Sequence, residues 1–79
     1  MDEAVIMQRL QRIFKDVFEK PDLEITPELD AASLEEWDSL AHISLLEAIQ
    51  EEFGCRFSLE ERLRLFSVAA IVKAIQDKQ

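Results

Sequence analysis

A serine stands where an irregular acidic stretch gives way to an apolar periodic run, within Asp38-Ser39-Leu40. The first backbone N–H groups of a helix lack partners and the helix dipole favours negative charge there, so a phosphate attached to Ser39 would be stabilised. The simpler interpretation is that Asp38 or Ser39 caps the helix, which contributes about 1 kcal/mol. Helix geometry by itself favours the cap.

Ser39 is also close in sequence to His42, a pairing that could give a nucleophilic serine with a histidine base. Such a triad needs three groups that converge in a pocket with an oxyanion hole, and Asp38 next to Ser39 does not converge. The single Cys55 cannot form an internal disulfide, and with one histidine it cannot build an ordinary zinc site. We therefore expect no catalytic residues and no metal site.

Composition indicates one small folded domain over residues 1–79, because 48% of residues are apolar and 33% are charged. Asp2 and Glu3 lie where a secretory signal would be basic, and charged residues interrupt every apolar run. We expect a cytoplasmic protein with no membrane insertion.

The charge is unevenly distributed along the chain. The net charge is −8, yet residues 21–53 contain ten acidic residues and no lysine or arginine. Such a field repels nucleic acid and anionic membrane surfaces and speeds encounter with basic protein patches. The alternative is a solvated acidic surface that only keeps the domain in solution.

Apolar spacing predicts helices almost throughout. The first helix has a core face and is stopped by Pro21, and residues 19–38 then form a long connection pinned to the core by four apolar residues. Thr26-Pro27 and Ser33-x-x-Glu36 have the form of a cap and a capping box, which favour short helical turns. The expected core residues of these two segments are Ile6, Leu10, Ile13 and Val17, with Met7, Phe14 and Phe18 beside them, and then Leu23, Ile25, Leu29 and Leu34.

Three further helices follow. The second begins at Asp38 or Ser39 and ends at Phe53 before Gly54. The third is short, opens with a capping box at Ser58 and runs through about Phe66, and Ser67 caps the fourth. The fold class is therefore all-α, a small four-helix bundle of three main helices and one short helix. The expected inward residues are Ile43, Leu45, Leu46, Ile49 and Phe53 on the second helix, Leu59, Leu63 and Phe66 on the third, and Val68, Ile71, Val72 and Ile75 on the fourth.

The stretch WDSLAHISLLEAIQEEFGCRFSLEE, with this helix order, the long connection and the final SVAAIVKAI helix, resembles the acyl carrier protein family. The resemblance implies that a phosphopantetheinyl transferase moves 4′-phosphopantetheine from coenzyme A to Ser39, with Asp38 near the metal and phosphates of that reaction. It implies a non-catalytic carrier that holds acyl intermediates as thioesters and presents them to enzymes of fatty-acid, polyketide or related lipid biosynthesis.

The resemblance also implies partner contacts at Leu40, Glu47 and Glu51, which would meet acyl-loading and acyl-processing enzymes through basic docking patches. We expect a monomer. Glu36 and Trp37 differ from the usual residues before the aspartate, and Ala41 and Ser44 occupy positions that are often acidic in fatty-acid carriers. These departures favour a stand-alone, specialised member.

Two alternatives remain open at this stage. The chain could be a peptidyl or aminoacyl carrier, or an unmodified acidic helical module that docks through Leu40, Trp37 and the acidic helix. We expect His42 to be exposed and without a fixed contact, and Cys55 to pack as a small apolar residue.

Overall fold

The computed structural model describes residues 1–78, which contain four helices and no strands. The helices are α1 (Glu3–Phe18), α2 (Ser39–Phe53), α3 (Leu59–Arg62) and α4 (Val68–Asp77). The predicted all-α bundle of three main helices and one short helix is confirmed. The predicted domain of residues 1–79 includes Gln79, which lies outside the described residues. Within residues 1–78 no helix is both long enough and apolar enough to cross a membrane.

The ends of the main helices follow their local signals. Asp2 caps α1 by accepting a hydrogen bond from the Val5 amide at 3.0 Å, and Ser67 caps α4 by accepting one from the Ala70 amide at 3.1 Å. Gly54 ends α2 with a φ of 62°, in the left-handed region that glycine enters at little cost. The boundaries at Gly54 and Ser67 agree with the predictions, and the cap at Asp2 was not predicted.

The core lies where α1 packs against α2 and α4. Along α1 and α4 the predicted faces are buried, except that Met7 and Val17 are only partly buried. The fully buried apolar side chains are Ile6, Leu10, Phe14, Leu45, Leu46, Ile49, Val68, Ile71 and Ile75.

The connection of residues 19–38 contains no helix but is tied to the rest of the molecule. Ile25 and Leu34 are buried and Leu23 is partly buried, as predicted. The Gln11 side chain of α1 donates to the Leu23 carbonyl at 2.6 Å and accepts from the Ile25 amide at 2.9 Å. The Gln11 side chain therefore provides hydrogen-bond partners for two backbone groups of the connection that have no partner in a helix or strand.

The predicted capping box at Ser33-x-x-Glu36 is wrong. The Ser33 hydroxyl donates to the Asp30 carboxylate at 2.8 Å, and Glu36 forms an ion pair with Lys20 at 2.9 Å. An aspartate three residues before the serine offers a closer partner than the amides of a following helix, so a turn forms instead.

The third helix is shorter than predicted and its expected core face is wrong. The capping box at Ser58 is present, with Glu61 as its partner, but α3 ends at Arg62 and none of its residues is buried. Leu59, Leu63 and Phe66 are exposed at 76%, 67% and 40%, whereas the flanking Phe57 and Leu65 are buried. A helix of about one turn cannot present a continuous apolar face, so the flanking residues anchor this segment to the core.

Candidate functional site

Ser39 is the first residue of α2, and its side chain is exposed. Asp38 precedes it as the N-cap, with its carboxylate accepting a hydrogen bond from the Ala41 amide at 2.9 Å. Within residues 1–78 the Ser39 hydroxyl has no hydrogen-bond partner. The structure thus gives the cap to Asp38 and leaves the serine hydroxyl open to solvent.

The start of α2 has the electrostatics of an anion site. The first turn contains no acidic residue, and the Asp38 carbonyl already accepts the His42 amide at 2.8 Å. The amides of Ser39 and Leu40 have no partner among the described residues. Free N–H groups at the positive end of a helix dipole favour a negative charge attached at this point. An exposed hydroxyl beside them is suited to carry a phosphodiester, which is the bond that phosphopantetheine needs.

His42 is buried, with 7% of its surface exposed, so the prediction of an exposed histidine is wrong. Its Nδ1 accepts a hydrogen bond from Trp37 Nε1 at 2.9 Å, and its Nε2 lies 3.0 Å from the Arg62 carbonyl oxygen. Both ring nitrogens are occupied, so His42 is not available as a base for Ser39. The structure agrees with the expectation that these residues form no triad.

Trp37 is also buried, at 4% exposure, which contradicts its suggested place on a docking face. Its ring lies edge-on to Phe14 with centroids 5.4 Å apart and near Phe18 at 6.1 Å. The indole N–H finds a partner in His42, and this hydrogen bond allows the side chain to be buried. The local sequence does not indicate this burial, because two glutamates come directly before Trp37.

Ile43 was predicted to face the core but is 55% exposed. Two polar residues, His42 and Gln50, occupy the inward face of α2 instead. Gln50 Oε1 accepts hydrogen bonds from the Phe57 amide at 2.8 Å and from the Arg62 guanidinium at 3.3 Å. Buried polar side chains require such partners, and hydropathy along one helix does not reveal them.

The exposed face of α2 contains the predicted partner residues. Leu40 is 77% exposed, and Glu47 and Glu51 are exposed further along the same helix. Glu47 pairs with Arg62 at 3.5 Å, whereas Glu51 has no ion pair among residues 1–78. Sequence reasoning missed Ile43, Leu59 and Leu63 as surface residues, because their spacing is also typical of core positions.

Cys55 is partly buried and packs against the core. Burial raises the pKa of its thiol, partly offset by the Lys78 ammonium nearby. The neutral thiol is therefore favoured, in agreement with a packing role. Within residues 1–78 no group of three histidine, cysteine or acidic side chains is placed to hold a metal ion.

Three comparisons with known proteins bear on this site. A family model described as "Phosphopantetheine attachment site" matches residues 8–75. The chain is 30% identical over 79 residues to an acyl carrier protein of Rubrobacter xylanophilus, covering 100% of this chain and 98% of that protein. It is also similar to the solution NMR structure of a holo acyl carrier protein from Geobacter metallireducens, with a TM-score of 0.83 and 28% identity over 91% of this chain and 83% of that one.

Proposed function

The chain belongs to the acyl carrier protein family, whose members contain a phosphopantetheine attachment site, and from this membership we propose that Ser39 is its attachment residue. It is a non-catalytic carrier with a phosphopantetheine prosthetic group. When bound, this group supplies a thiol on a flexible arm, which holds an acyl group as a thioester at high effective concentration near a partner's active site. The family acts with a phosphopantetheinyl transferase and with biosynthetic enzymes.

The observation that carries the assignment is the exposed hydroxyl of Ser39 at the first position of α2, with no hydrogen bond within residues 1–78. A transferase can reach this oxygen without breaking a contact of the fold. In the transfer, Ser39 Oγ gives its proton to the transferase and bonds to the coenzyme A phosphorus that carries the pantetheine arm. The pyrophosphate bond between that phosphorus and the nucleotide phosphate breaks, and adenosine 3′,5′-bisphosphate leaves. The free amides of Ser39 and Leu40 stabilise the negative charge that this leaves at the helix start.

Asp38 has two roles in this proposal. One carboxylate oxygen caps α2 through the Ala41 amide at 2.9 Å. The other oxygen has no partner among the described residues and is exposed. It is therefore free to bind the metal ion that a transferase brings to the phosphates. The cap keeps Ser39 in the first turn while this second oxygen faces solvent.

Partner enzymes dock, in this proposal, on the exposed face of α2. Leu40 supplies an apolar contact beside the attachment serine, and Glu47 and Glu51 supply negative charge that meets basic patches. Residues 1–79 act as a single carrier domain, a monomer in the cytoplasm, in a specialised fatty-acid, polyketide or related lipid pathway. The unmodified docking module is disfavoured because Trp37, one of its contact residues, is buried.

The test is incubation with coenzyme A and a broad-specificity phosphopantetheinyl transferase, followed by intact-mass measurement. We expect one phosphopantetheine adduct on the wild-type protein and none on Ser39→Ala. Ser44→Ala is the matched control, since Ser44 is an exposed serine on the same helix; it should be modified like the wild type. An unmodified wild-type protein with an active transferase would overturn the proposal, and an adduct on Ser39→Ala would place the site elsewhere.

A further inference from the structure

We propose that His42 is a positioning residue that joins the turn before Ser39 to the α3 segment, residues 57–66. Through this joint, Ser39 on α2 and the exposed apolar side chains of the α3 segment are held in one fixed arrangement for an incoming enzyme. The inference rests on the proposed attachment at Ser39 and adds to it a residue that touches neither the serine nor the cofactor.

Two hydrogen bonds, one buried and one partly buried, make the joint. Trp37 Nε1 is a donor only, so His42 Nδ1, 2.9 Å away, must be unprotonated to accept from it. The proton of the neutral ring is then on Nε2, which donates to the Arg62 carbonyl at 3.0 Å. One tautomer satisfies both partners. Trp37 lies two residues before Ser39, and Arg62 is the last residue of α3, so a single ring connects these two parts of the molecule.

The joint matters because α3 has no buried apolar side chain of its own to fix it. None of its four residues is buried, and polar contacts hold it, including the ion pair of Glu61 with Lys78 at 3.0 Å. Besides the bond to His42, the Arg62 guanidinium donates to Gln50 Oε1 at 3.3 Å and lies 3.5 Å from Glu47. The apolar anchors Phe57 and Leu65 lie at the two ends of the segment and leave the helix between them to these polar contacts.

The histidine ring also has an aromatic ring stacked on it. Phe66 lies almost parallel to it, with centroids 4.0 Å apart and an angle of 12°. Trp37, with its centroid 6.1 Å away and its plane at 26°, meets the edge of the imidazole through the hydrogen bond to Nδ1. Phe66 is 40% exposed, and its ring lies against that of the buried His42. A flat side chain with one acceptor and one donor at its edge meets all of these demands. Phenylalanine offers the ring without the hydrogen bonds, and glutamine offers an acceptor and a donor without the ring.

The chain contains one tryptophan and one histidine, so the indole N–H signal and the set of imidazole signals in NMR spectra each come from one residue. In the ¹⁵N-labelled wild-type protein at neutral pH we expect the Nε2–H tautomer of His42 and slow solvent exchange of the Trp37 indole proton. In His42→Phe the indole exchange should become several-fold faster. Finding the proton on Nδ1, or an indole proton that exchanges freely in the wild type, would overturn the proposal.

The functional readout is the rate of phosphopantetheine transfer to Ser39. His42→Phe should lower kcat/KM of the transferase for this carrier roughly ten-fold, since small misplacements of a reacting group are costly. His42→Gln, which retains an acceptor and a donor, should recover a large part of this loss. Val72→Ala, a core change on α4, is the control for lost stability and should be modified at the wild-type rate below its melting temperature.

Should His42→Phe fail to fold, Trp37→Phe supplies the second variant, because it retains an aromatic ring against Phe14 while removing the donor together with part of the buried ring volume. It should lower kcat/KM in the same direction. Wild-type rates in the folded His42→Phe or Trp37→Phe variants would overturn the positioning role while leaving Ser39 as the attachment site. A wild-type protein that is not modified at all would overturn both proposals.

Discussion

At the start of α2, one residue caps the helix and the next residue carries the free hydroxyl. Asp38 closes the helix end through the Ala41 amide, and Ser39 is left without a hydrogen bond among the described residues. A serine that capped the helix would have its oxygen engaged by the backbone and would be a poorer acceptor for a transferase. The aspartate before the serine is therefore part of what makes the hydroxyl available.

Glu19 is the one non-glycine residue with positive φ within residues 1–78, at 52°, where it ends α1. A side chain in the left-handed region is strained, so Glu19→Gly should stabilise the protein by about 0.5 to 1 kcal/mol, measured by urea unfolding. Gly54→Ala should lower stability by about 1 kcal/mol, because alanine is strained at the positive φ of this position. A steric clash would not contribute, since an added Cβ would have no atom within 4 Å.

Glu19→Gln is the control for the Glu19 prediction, since it removes the negative charge and retains the strained backbone. Its stability should stay close to that of the wild type. If Glu19→Gln stabilises the protein as much as Glu19→Gly does, charge rather than backbone strain is responsible.

Among the helices, α3 differs from the others in what holds it in place. α1, α2 and α4 bury apolar side chains against one another, whereas α3 depends on hydrogen bonds and ion pairs at its ends. Glu61 is central to these: its carboxylate accepts from the Ser58 amide at 2.7 Å and pairs with Lys78 at 3.0 Å. These polar contacts make the position of α3 sensitive to the charge of single side chains.

The hydrogen bond from the Ser58 backbone and the Lys78 ammonium hold the pKa of Glu61 below its ordinary value. A carboxyl with a lowered pKa in the folded state contributes stability above its unfolded pKa of about 4.3 and loses it as the pH falls through the folded value. Urea unfolding of wild type and Glu61→Gln should therefore show a wild-type advantage at neutral pH that disappears in acid.

Glu60→Gln serves as the comparison for this pH dependence. Glu60 is on the same turn, and its carboxylate pairs only with the exposed Arg64 at 3.5 Å. We expect Glu60→Gln to match the wild type at both pH values, because exposed ion pairs contribute little. An advantage over Glu61→Gln that persists in acid would show that the Glu61 carboxylate is not the source of the stability.

Across the molecule, basic residues before and after the acidic segment, residues 21–53, neutralise part of its charge. The segment contains no lysine or arginine, but three of its glutamates form ion pairs with Arg9, Lys20 and Arg62. On α2, this leaves Glu51 as an exposed carboxylate with no ion pair among residues 1–78, while Glu47 is partly neutralised. The charge available to a partner is therefore smaller than the sequence total indicates.

Reversing Glu51 should slow association with a basic partner without affecting the fold. At low ionic strength, Glu51→Lys should reduce the association rate with the transferase roughly three- to ten-fold, and added salt should shrink the difference. Glu47→Lys should also lower stability, since it places a lysine beside Arg62. Stopped-flow binding measures the association rate and thermal melting measures the stability, so the two experiments separate the effects.

Asp16→Lys makes the same change of charge on an exposed position of α1 and is the matched control. It should slow association less than Glu51→Lys does. Equal slowing by the two variants would mean that partners respond to net charge alone. A Glu51→Lys variant that associates at the wild-type rate would remove Glu51 from the docking face.

The sequence by itself determined the helix order, the caps at Ser58 and Ser67, the glycine that ends α2 and the apolar faces of α1 and α4. These features depend on contacts within a few residues, so local spacing is sufficient to predict them. The place of Asp38-Ser39-Leu40 in this helical framework also led to the prediction that Ser39 is the attachment residue, which the transferase experiment tests.

Only the tertiary structure decided which residues of α2 and the α3 segment face the core. Trp37, His42 and Gln50 are buried because their polar atoms meet partners up to twenty residues away, in the case of His42 and the Arg62 carbonyl. Ile43, Leu59 and Leu63 are correspondingly left at the surface. Burial of a polar group depends on whether a distant partner satisfies it, and spacing within one helix contains no information about that partner.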